Sequence, residues 1–474
     1  MTKVLSVASE CAPLVKTGGL ADVVGALPGA LAPFGVQMRV LLPGYPGVLA
    51  GLSKSKVVLK DADLFGGTAK VLASNVSGLD LLVLDAPHLF DRGGSPYLDD
   101  AGRDFADNPE RFAALSWVAM VIARDGVGGW QPDVVHCHDW QAGLAPYYLR
   151  QQGVDVPSVL TIHNIAFHGI AGAEKLIGLR LDPADFGEAG FEFWGNISAL
   201  KAGLQFATKL TTVSPTYARE LTTEEFGMGL DGVLRNREGD LQGILNGIDL
   251  DVWNPATDEN IATYKTARRK GRAKAALLQE LGLPAADGPL CVVVSRLSHQ
   301  KGLDVLLEAL PALVDHGGQL ALLGSGDKTL ETAFLRATEH QNVAVKIGYD
   351  EALSHRMMAG ADAILVPSRF EPCGLTQLYG LRYGTIPVVA TTGGLADTVI
   401  DASPMAMRSG VATGVQFAPV TAHALAGALT RVRGLYSDQT AWAQLQKNAM
   451  KQDAGWAASA GEYAALYDGL IDGA

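Results

Sequence analysis

The sequence has 474 residues but only four cysteines, and none of them forms a C-x-x-C pair. Scattered thiols in a chain of this length favour a reducing, cytoplasmic environment over a disulfide framework. Long hydrophobic runs are also missing, and without eighteen uninterrupted apolar residues we expect no transmembrane helix. The N-terminus lacks the basic-then-apolar pattern of a secretory signal peptide.

Positive charge is scarce too, because 38 Lys and Arg residues face 50 Asp and Glu residues, giving a formal net charge of −12. An acidic chain does not attract nucleic acid or anionic membrane, so we expect neither as a partner. An anionic ligand would have to be bound locally, by a few placed cations and backbone N–H groups. The sequence also lacks G-x-x-x-x-G-K-[ST], which argues against a P-loop ATPase.

Short apolar runs alternate with helical patterns in two successive series, which predicts two parallel sheets with crossover helices. The first series begins with "KVLSVAS" and the second with "PLCVVVSRL". We therefore expect an α/β protein with two Rossmann-like, doubly wound domains. The predicted ranges are 1–246 for the first domain, 247–455 for the second and 456–474 for a C-terminal helix.

Ligands of open parallel sheets bind beyond the carboxyl ends of the strands, so the residues after each apolar run are the candidates. Arg296 and Lys301 in "SRLSHQKGLD" suit a diphosphate, although solvated surface charges are the alternative interpretation. Glu371 in "PSRFEPCGLTQLYGLRYG" suits sugar hydroxyls or a developing positive charge. Its alternative role is to cap the N-terminus of the helix that follows.

The hexapeptide "TGGLAD" occurs twice, at 17–22 and at 392–397. A glycine pair that leads into a helix can cradle an anion with backbone N–H groups and the helix dipole. A tight strand-to-helix turn is the simpler interpretation. Gly324 and Gly326 in "LALLGSGD" begin a G-x-G-x-x-G pattern that lacks its third glycine, so a dinucleotide site is weakly supported.

Histidines follow or end two strands of the first domain. In "VVHCHDW", His136 and His138 share one strand face, but a zinc site would need further ligands that the sequence does not show. Asp139, at the end of this strand, is the better functional candidate. His163 in "LTIHN" occupies an equivalent position, and a satisfied loop histidine is its alternative interpretation.

Several motifs in order resemble the bacterial glycogen synthase and plant starch synthase family: "KTGGLADVVGALP", "HDWQAGL", "TIHNIAFHG", "NGIDLDVWNP", "SRLSHQKGLD", "PSRFEPCGLTQLYGLRYG" and "TTGGLADTV". The resemblance implies the GT-B glycosyltransferase fold, with two domains facing a cleft and a C-terminal helix that crosses back to the first domain. It implies transfer of glucose from ADP-glucose to the 4-hydroxyl end of an α-1,4-glucan, with retention and without a metal or organic cofactor.

The resemblance also assigns site residues. It makes Glu371 the essential carboxylate, Arg296 and Lys301 the donor-phosphate cations, and Asp139 and His163 residues of the sugar pocket. It places Tyr97 on the acceptor side. The donor-binding residues that it implies are Lys16, Gly18, Gly19, Asn246, Gly324, Tyr349 (beside the adenine), Cys373, Gly374, Leu375, Thr392, Gly393 and Gly394.

More distant retaining glycosyltransferases carry E-x7-E, whereas here the eighth residue after Glu371 is Tyr379. That agrees with the starch synthase-like branch. Two other functions stay open: a nucleotide-sugar epimerase on the same fold, and a non-catalytic glucan-binding protein. The preference for ADP-glucose over UDP-glucose comes from the resemblance alone.

Overall fold

The structure is a computed structural model that describes residues 1–473. It divides into two compact units. The first consists of Met1–Val213, Ala218–Asn246 and the stretch that begins at Trp456. The second consists of Ser214–Tyr217 and Gly247–Gly455. Each unit contains a mainly or wholly parallel sheet covered by helices, so the expected doubly wound α/β fold is confirmed.

The main sheet of the first unit has the strand order β12-β11-β7-β6-β1-β2-β5-β4-β3, and a small antiparallel sheet has the order β8-β10-β9. The strands are β1 (Thr2–Val7), β2 (Val36–Pro43), β3 (Ser55–Asp61), β4 (Ala69–Val76), β5 (Leu79–Asp85), β6 (Val134–His138), β7 (Ser158–Ile162), β8 (Ile170–Gly172), β9 (Glu192–Phe193), β10 (Asn196–Ser198), β11 (Lys209–Thr212) and β12 (Leu241–Gly243).

One edge of this main sheet differs from the predicted parallel arrangement, because β3, β4 and β5 pair antiparallel. The cause is local. Ser77 and Gly78, which connect β4 to β5, have φ angles of 52° and 85°. Two residues with positive φ form a hairpin turn, and such a connection is too short for the crossover that a parallel pair requires.

Helices cover this sheet, and the first of them begins at Gly19, the second glycine of the pair in the first hexapeptide. They are α1 (Gly19–Leu31), α2 (Pro46–Ala50), α3 (Pro87–Phe90), α4 (Asn108–Asp125), α5 (Ala145–Gln151), α6 (Ala199–Phe206), α7 (Pro215–Leu221) and α8 (Asp231–Asn236).

The sheet of the second unit is parallel throughout, with the order β15-β14-β13-β16-β17-β18. Apart from the edge strand β15, which is mostly part-exposed, its strands are mainly buried apolar runs, as expected for strands covered on both faces. They are β13 (Leu290–Val294), β14 (Gln319–Gly324), β15 (Val343–Ile347), β16 (Ala363–Val366), β17 (Ile386–Ala390) and β18 (Val415–Phe417). The helices are α9 (Gly271–Leu281), α10 (Leu303–Ala309), α11 (Pro311–Val314), α12 (Lys328–Ala337), α13 (Glu351–Gly360), α14 (Thr376–Tyr383), α15 (Gly393–Thr398), α16 (Pro404–Ser409), α17 (Ala422–Ser437) and α18 (Gln439–Ala449).

The C-terminal helix α19 (Ala457–Asp472) packs on the first unit. Tyr463 and Tyr467 are buried there in one apolar cluster with Val23 and Leu27 of α1. The Tyr467 hydroxyl lies 2.7 Å from Nδ1 of His136, so this helix reaches the middle of the sheet through one polar contact. Of the helices within residues 1–473, none combines the length and apolarity needed to cross a bilayer.

The strand order places the candidate ligand position in each unit. Chain order reverses between β1 and β6 in the first unit and between β13 and β16 in the second. Ligands of doubly wound sheets bind outside the carboxyl ends of the strands at such a switch point. The residues that follow these four strands are therefore the candidate site residues.

Candidate functional site

A buried ion pair lies at the switch point of the second unit. Lys301 follows β13 and Glu371 follows β16, and the Lys301 Nζ lies 2.5 Å from Oε2 of Glu371. The Ser368 hydroxyl donates a second hydrogen bond to the same oxygen at 2.8 Å. Glu371 is only 6% exposed. A carboxylate buried to this degree requires compensation, and one cation and one hydroxyl provide it.

Glu371 does not cap the following helix, which was its alternative role. The N-cap residue of α14 is Leu375, and no side chain caps that helix. The carboxylate is instead bound by Lys301 and Ser368. Arg296, the second predicted cation after β13, is exposed.

The second glycine pair packs against the backbone that carries Glu371. The Gly394 N–H donates to the carbonyl oxygens of Glu371 and Pro372, each at 3.1 Å. Gly393 has φ +44°, and a side chain there would overlap the Glu371 carbonyl oxygen; a side chain on Gly394 would overlap that of Cys373. Ser214 also donates to the Pro372 carbonyl, at 2.6 Å. These glycines are thus required by contact within the protein itself.

The other predicted donor residues of the second unit lie at or near strand ends. Gly374 has φ +72°, and its carbonyl accepts from the amide of Gln377 at 2.8 Å. Cys373 lies in the turn before α14, and Thr392 lies just before α15. Both are buried where this turn packs against the start of α15. Gly324 ends β14 against the backbone of Ser295.

Tyr349 stands apart from this group. It follows the edge strand β15, its ring is 80% exposed, and its hydroxyl bonds to Glu351. In the strand order, β14 and β13 lie between β15 and β16. Tyr349 and Glu371 therefore follow strands that are three spacings apart, or about 14 Å.

At the switch point of the first unit, the structure reveals a carboxylate that motif analysis missed. Glu10 follows β1 and is buried. It accepts hydrogen bonds from the backbone N–H and hydroxyl of Thr17, from the Gly18 N–H at 3.3 Å and from the Tyr97 hydroxyl at 2.5 Å. The N–H groups of the first hexapeptide thus bind a carboxylate of the protein itself. The signal that could have found Glu10 is its place directly after a buried strand.

The two hexapeptides are therefore identical in sequence and different in their contacts. In the first copy, Asp22 pairs with Lys16 at 2.8 Å, and Lys16 is part-exposed. In the second copy, Asp397 accepts from the backbone N–H and the hydroxyl of Thr216 at 2.7 and 2.6 Å. Asn246, the predicted sugar contact, is buried, and its Oδ1 has no hydrogen-bond partner within residues 1–473.

Asp139 and His163, which the sequence singled out, contact each other. Asp139 has φ +54°, and its Oδ1 accepts from the His163 N–H at 2.7 Å. Nε2 of His163 lies 3.0 Å from Nδ1 of His138, and Nε2 of His138 lies 3.1 Å from the Ser6 hydroxyl oxygen. Burial lowers the pKa of His163 to about 3 and raises the pKa of Asp139 to about 7. The cluster thus presents a neutral imidazole beside a carboxyl group that titrates near neutrality.

His136, half of the conceivable zinc pair, is a core residue. Its Nδ1 bonds to Tyr467 and its Nε2 lies 2.6 Å from the Thr161 hydroxyl, so both ring nitrogens are engaged. Across residues 1–473 no group of three or more His, Cys, Asp and Glu side chains could hold a metal ion.

Comparisons with known proteins cover almost the whole chain. A family described as "Starch synthase catalytic domain" matches residues 3–236, and one described as "Glycosyl transferases group 1" matches residues 280–452. A glycogen synthase of Jannaschia sp. (strain CCS1) is 63% identical over 470 residues, covering 98% of this chain and 99% of that one. A glycogen synthase of Paracoccus denitrificans (strain Pd 1222) is 61% identical over 472 residues, covering 99% and 100%.

Solved structures agree. The catalytic domain of starch synthase IV from Arabidopsis thaliana, bound to ADP and acarbose, matches with a TM-score of 0.89 and 32% identity over 99% of both chains. Sucrose-phosphate synthase from Thermosynechococcus elongatus matches with a TM-score of 0.63 and 20% identity over 100% of both chains, which supports the fold alone.

The different packing of the two hexapeptides predicts different responses to one substitution. Gly393→Ala should destabilise the second unit by about 1–3 kcal/mol, as overpacking does, and should reduce activity because the Glu371 turn must move. Gly18→Ala, the matched control, adds a Cβ with no described atom within 4 Å and should change stability by less than about 0.5 kcal/mol. Urea unfolding of both variants measures this. Equal effects would contradict the packing argument.

The raised pKa of Asp139, about 7, predicts a pH-dependent contribution to stability. An unfolded Asp titrates near 4. Between these values the folded state keeps a proton that the unfolded state loses, so the stabilisation is complete below pH 4 and is lost as the pH rises to 7. In urea unfolding, the wild type should lose stability relative to Asp139→Asn between pH 5 and pH 8. Parallel pH curves for the two proteins would contradict the assignment.

Proposed function

The chain belongs to the glycogen synthase and starch synthase family of hexosyltransferases, and from that membership and the site geometry we propose the reaction it catalyses. It transfers glucose from ADP-glucose to the non-reducing 4-hydroxyl end of an α-1,4-glucan, with retention at the anomeric carbon. The observation that carries the proposal is the Lys301–Glu371 ion pair, a buried carboxylate and a cation at the switch point of a nucleotide-binding sheet.

The second unit binds the ADP part of the donor. Arg296 and Lys301 both follow β13, and departure of ADP builds negative charge on the diphosphate. Cations that strengthen their contact as this charge develops stabilise the transition state more than the bound substrate. The exposed guanidinium of Arg296 can form the paired hydrogen bonds that phosphate oxygens accept. The ammonium of Lys301, which also binds Glu371, supplies the second cation for the diphosphate.

Glu371 faces the glucosyl unit. As the bond from C1 to the phosphate oxygen breaks, positive charge develops at the anomeric carbon, and a fixed carboxylate stabilises it. The 4-hydroxyl oxygen of the acceptor attacks C1 on the face that the phosphate leaves. Its proton passes to the departing phosphate oxygen, so neither a protein base nor a covalent glucosyl-enzyme is required. Retention follows from attack on that face.

Tyr349 supplies a stacking surface for the adenine. The approximate separation of 14 Å between the strand ends that carry Tyr349 and Glu371 suits the length of a nucleotide sugar, with its base at one end and its glucosyl group at the other. Gly324 ends β14, which lies between β15 and β16 in the sheet, and the turn from Cys373 to Leu375 follows β16. Together with Thr392, Gly393 and Gly394, these residues form the remaining donor contacts of this unit.

The first unit supplies groups for the sugar. Asp139 and the neutral His163 ring accept from and donate to hydroxyl groups, and Asn246 brings a buried oxygen that has no hydrogen-bond partner among residues 1–473. A buried polar atom without a partner costs free energy, which a substrate hydroxyl would recover. Lys16 and the backbone of Gly18 and Gly19 contribute contacts to the donor. Glu10 and Tyr97 fix the loop that carries these residues, and Tyr97 lies on the acceptor side.

We place the reaction in the cytoplasm. This is supported by the four cysteines, which are all free and buried.

Incubation of purified protein with ADP-glucose or UDP-glucose, each with and without glycogen, tests the proposal. We expect ADP release and longer glucan chains only when ADP-glucose and glycogen are both present, with much slower transfer from UDP-glucose. NMR of the product should show new α-1,4 linkages.

Two outcomes would contradict this function. Conversion of the nucleotide sugar without glycogen would indicate an epimerase. Glycogen binding without transfer from either donor would indicate a non-catalytic glucan-binding protein.

A further inference from the structure

An exposed aromatic tip stands on the small antiparallel sheet β8-β10-β9 of the first unit. Trp194 lies in the turn between β9 and β10 and is 83% exposed. A Cβ built on Gly229 would lie 3.3 Å from the ring of Phe193 and 3.8 Å from the indole nitrogen of Trp194, so Met228, which is also exposed, adjoins this tip. We call Phe193, Trp194 and Met228 the Trp194 patch.

The patch carries backbone strain at two points. Trp194 has φ +51° and Met228 has φ +50°. Positive φ is unfavourable for bulky side chains, and a two-residue turn of this kind normally takes Asn or Asp before its glycine. Here Trp194 precedes Gly195, which has φ +79°. Folding gains little from an indole that is both strained and exposed, and such residues concentrate at functional sites.

The turn holds the indole on a well-connected backbone. The Gly195 N–H donates to the Glu192 carboxylate at 2.6 Å, and the amide of Asn196 donates to the Trp194 carbonyl at 3.2 Å. Lys201 donates to the Glu192 carbonyl at 2.7 Å, which ties β9 to α6. The ring of Phe193 packs edge-on against His168, with centroids 4.8 Å apart.

The size and charge of the patch limit its ligand. An indole contributes at most about 250 Å² of contact area, whereas a stable protein interface needs about 800 Å² from each partner. The charged residues nearest to Trp194 and Met228 in the sequence are Glu188, Glu192, Glu224, Glu225 and Asp231, so a polyanion is disfavoured. A neutral ring with one flat C–H face and hydroxyl groups at its edge fits an exposed indole beside carboxylate and amide groups.

The patch is also continuous with the proposed sugar-binding part of this unit. His168, which contacts Phe193, lies five residues after His163 in the chain. The His168 carbonyl accepts from the Ser198 hydroxyl at 3.2 Å and from the Leu200 N–H at 3.0 Å. The segment that begins at His163 therefore supports the sheet that presents Trp194.

Building on the proposed function, we propose that the Trp194 patch is a glucan-binding subsite. The indole stacks on the flat face of one glucosyl ring of the α-1,4-glucan acceptor, and Met228 extends the apolar surface. This contact holds the polymer and takes no part in bond making or breaking.

Three variants test the subsite. Trp194→Asn removes the ring and places at φ +51° a residue that tolerates it. Trp194→Phe keeps a stacking ring. Ile177→Ala is the matched control, because Ile177 is an equally exposed apolar residue of the same unit outside the patch. Binding of maltoheptaose and glycogen is measured by calorimetry and affinity electrophoresis without nucleotide, and ADP binding is measured in parallel.

We expect Trp194→Asn to weaken glucan binding about three- to tenfold, the loss of one ring stacking contact. Its urea midpoint should equal or exceed that of the wild type, since the strain is relieved. ADP binding should be unchanged, and Trp194→Phe and Ile177→Ala should bind glucan within about twofold of the wild type.

If Trp194→Asn binds glucan as well as the wild type does, the subsite proposal is overturned and the proposed function is left intact. Equal weakening in Trp194→Asn and Ile177→Ala would also overturn it. Wild-type protein that neither binds nor extends glucan would contradict the proposed function itself.

Discussion

The ion pair between Lys301 and Glu371 joins the ends of β13 and β16, the two strands at which the sheet of the second unit reverses its order. A buried carboxylate in this place would be costly without a partner. Lys301 and Ser368 compensate that cost from one side of the carboxylate, because both bind Oε2. The backbone that carries Glu371 is fixed separately, by Gly393 and Gly394 at the start of α15. The charge of Glu371 is thus compensated by Lys301 and Ser368, whereas the position of its backbone is fixed by the start of α15.

In the first unit, the strand that corresponds to β13 is followed by a carboxylate instead of a cation, and this carboxylate binds groups of the protein itself. Glu10 follows β1 as Lys301 follows β13, but its oxygens are taken by Thr17, Gly18 and Tyr97. Glu10 therefore orders the loop before α1, whereas Asp139 and His163 contact each other at the neighbouring strand ends. The repeated hexapeptide reflects this division. The N–H groups of the first copy bind the side chain of Glu10, and the glycines of the second copy pack against the backbone of Glu371.

Much of the fold and part of the site could be predicted from the sequence, because alternating apolar runs reveal parallel strands and the residues after them must share one edge of a sheet. The positions of Glu371, Lys301 and Asp139 after buried strands were predicted in this way. The hydrogen-bond partners of these residues were not predicted, since contacts such as that of Lys301 with Glu371 join segments distant in sequence. Glu10 was missed because it belongs to no glycine- or charge-based motif. The antiparallel pairing of β4 with β5 was missed because a turn of only two residues, Ser77 and Gly78, decides it.

The central claim is that Lys301 and Glu371 act as one unit in glucosyl transfer. A double-mutant cycle of Lys301→Met and Glu371→Gln, read as kcat/KM for ADP-glucose at saturating glycogen, tests it most directly. Each single variant should lose at least about a hundredfold, the scale of one lost electrostatic contact to a transition state. The double variant should be no slower than the slower single variant, because groups that act as a unit are not additive. A double variant whose loss equals the product of the two single losses would contradict the account.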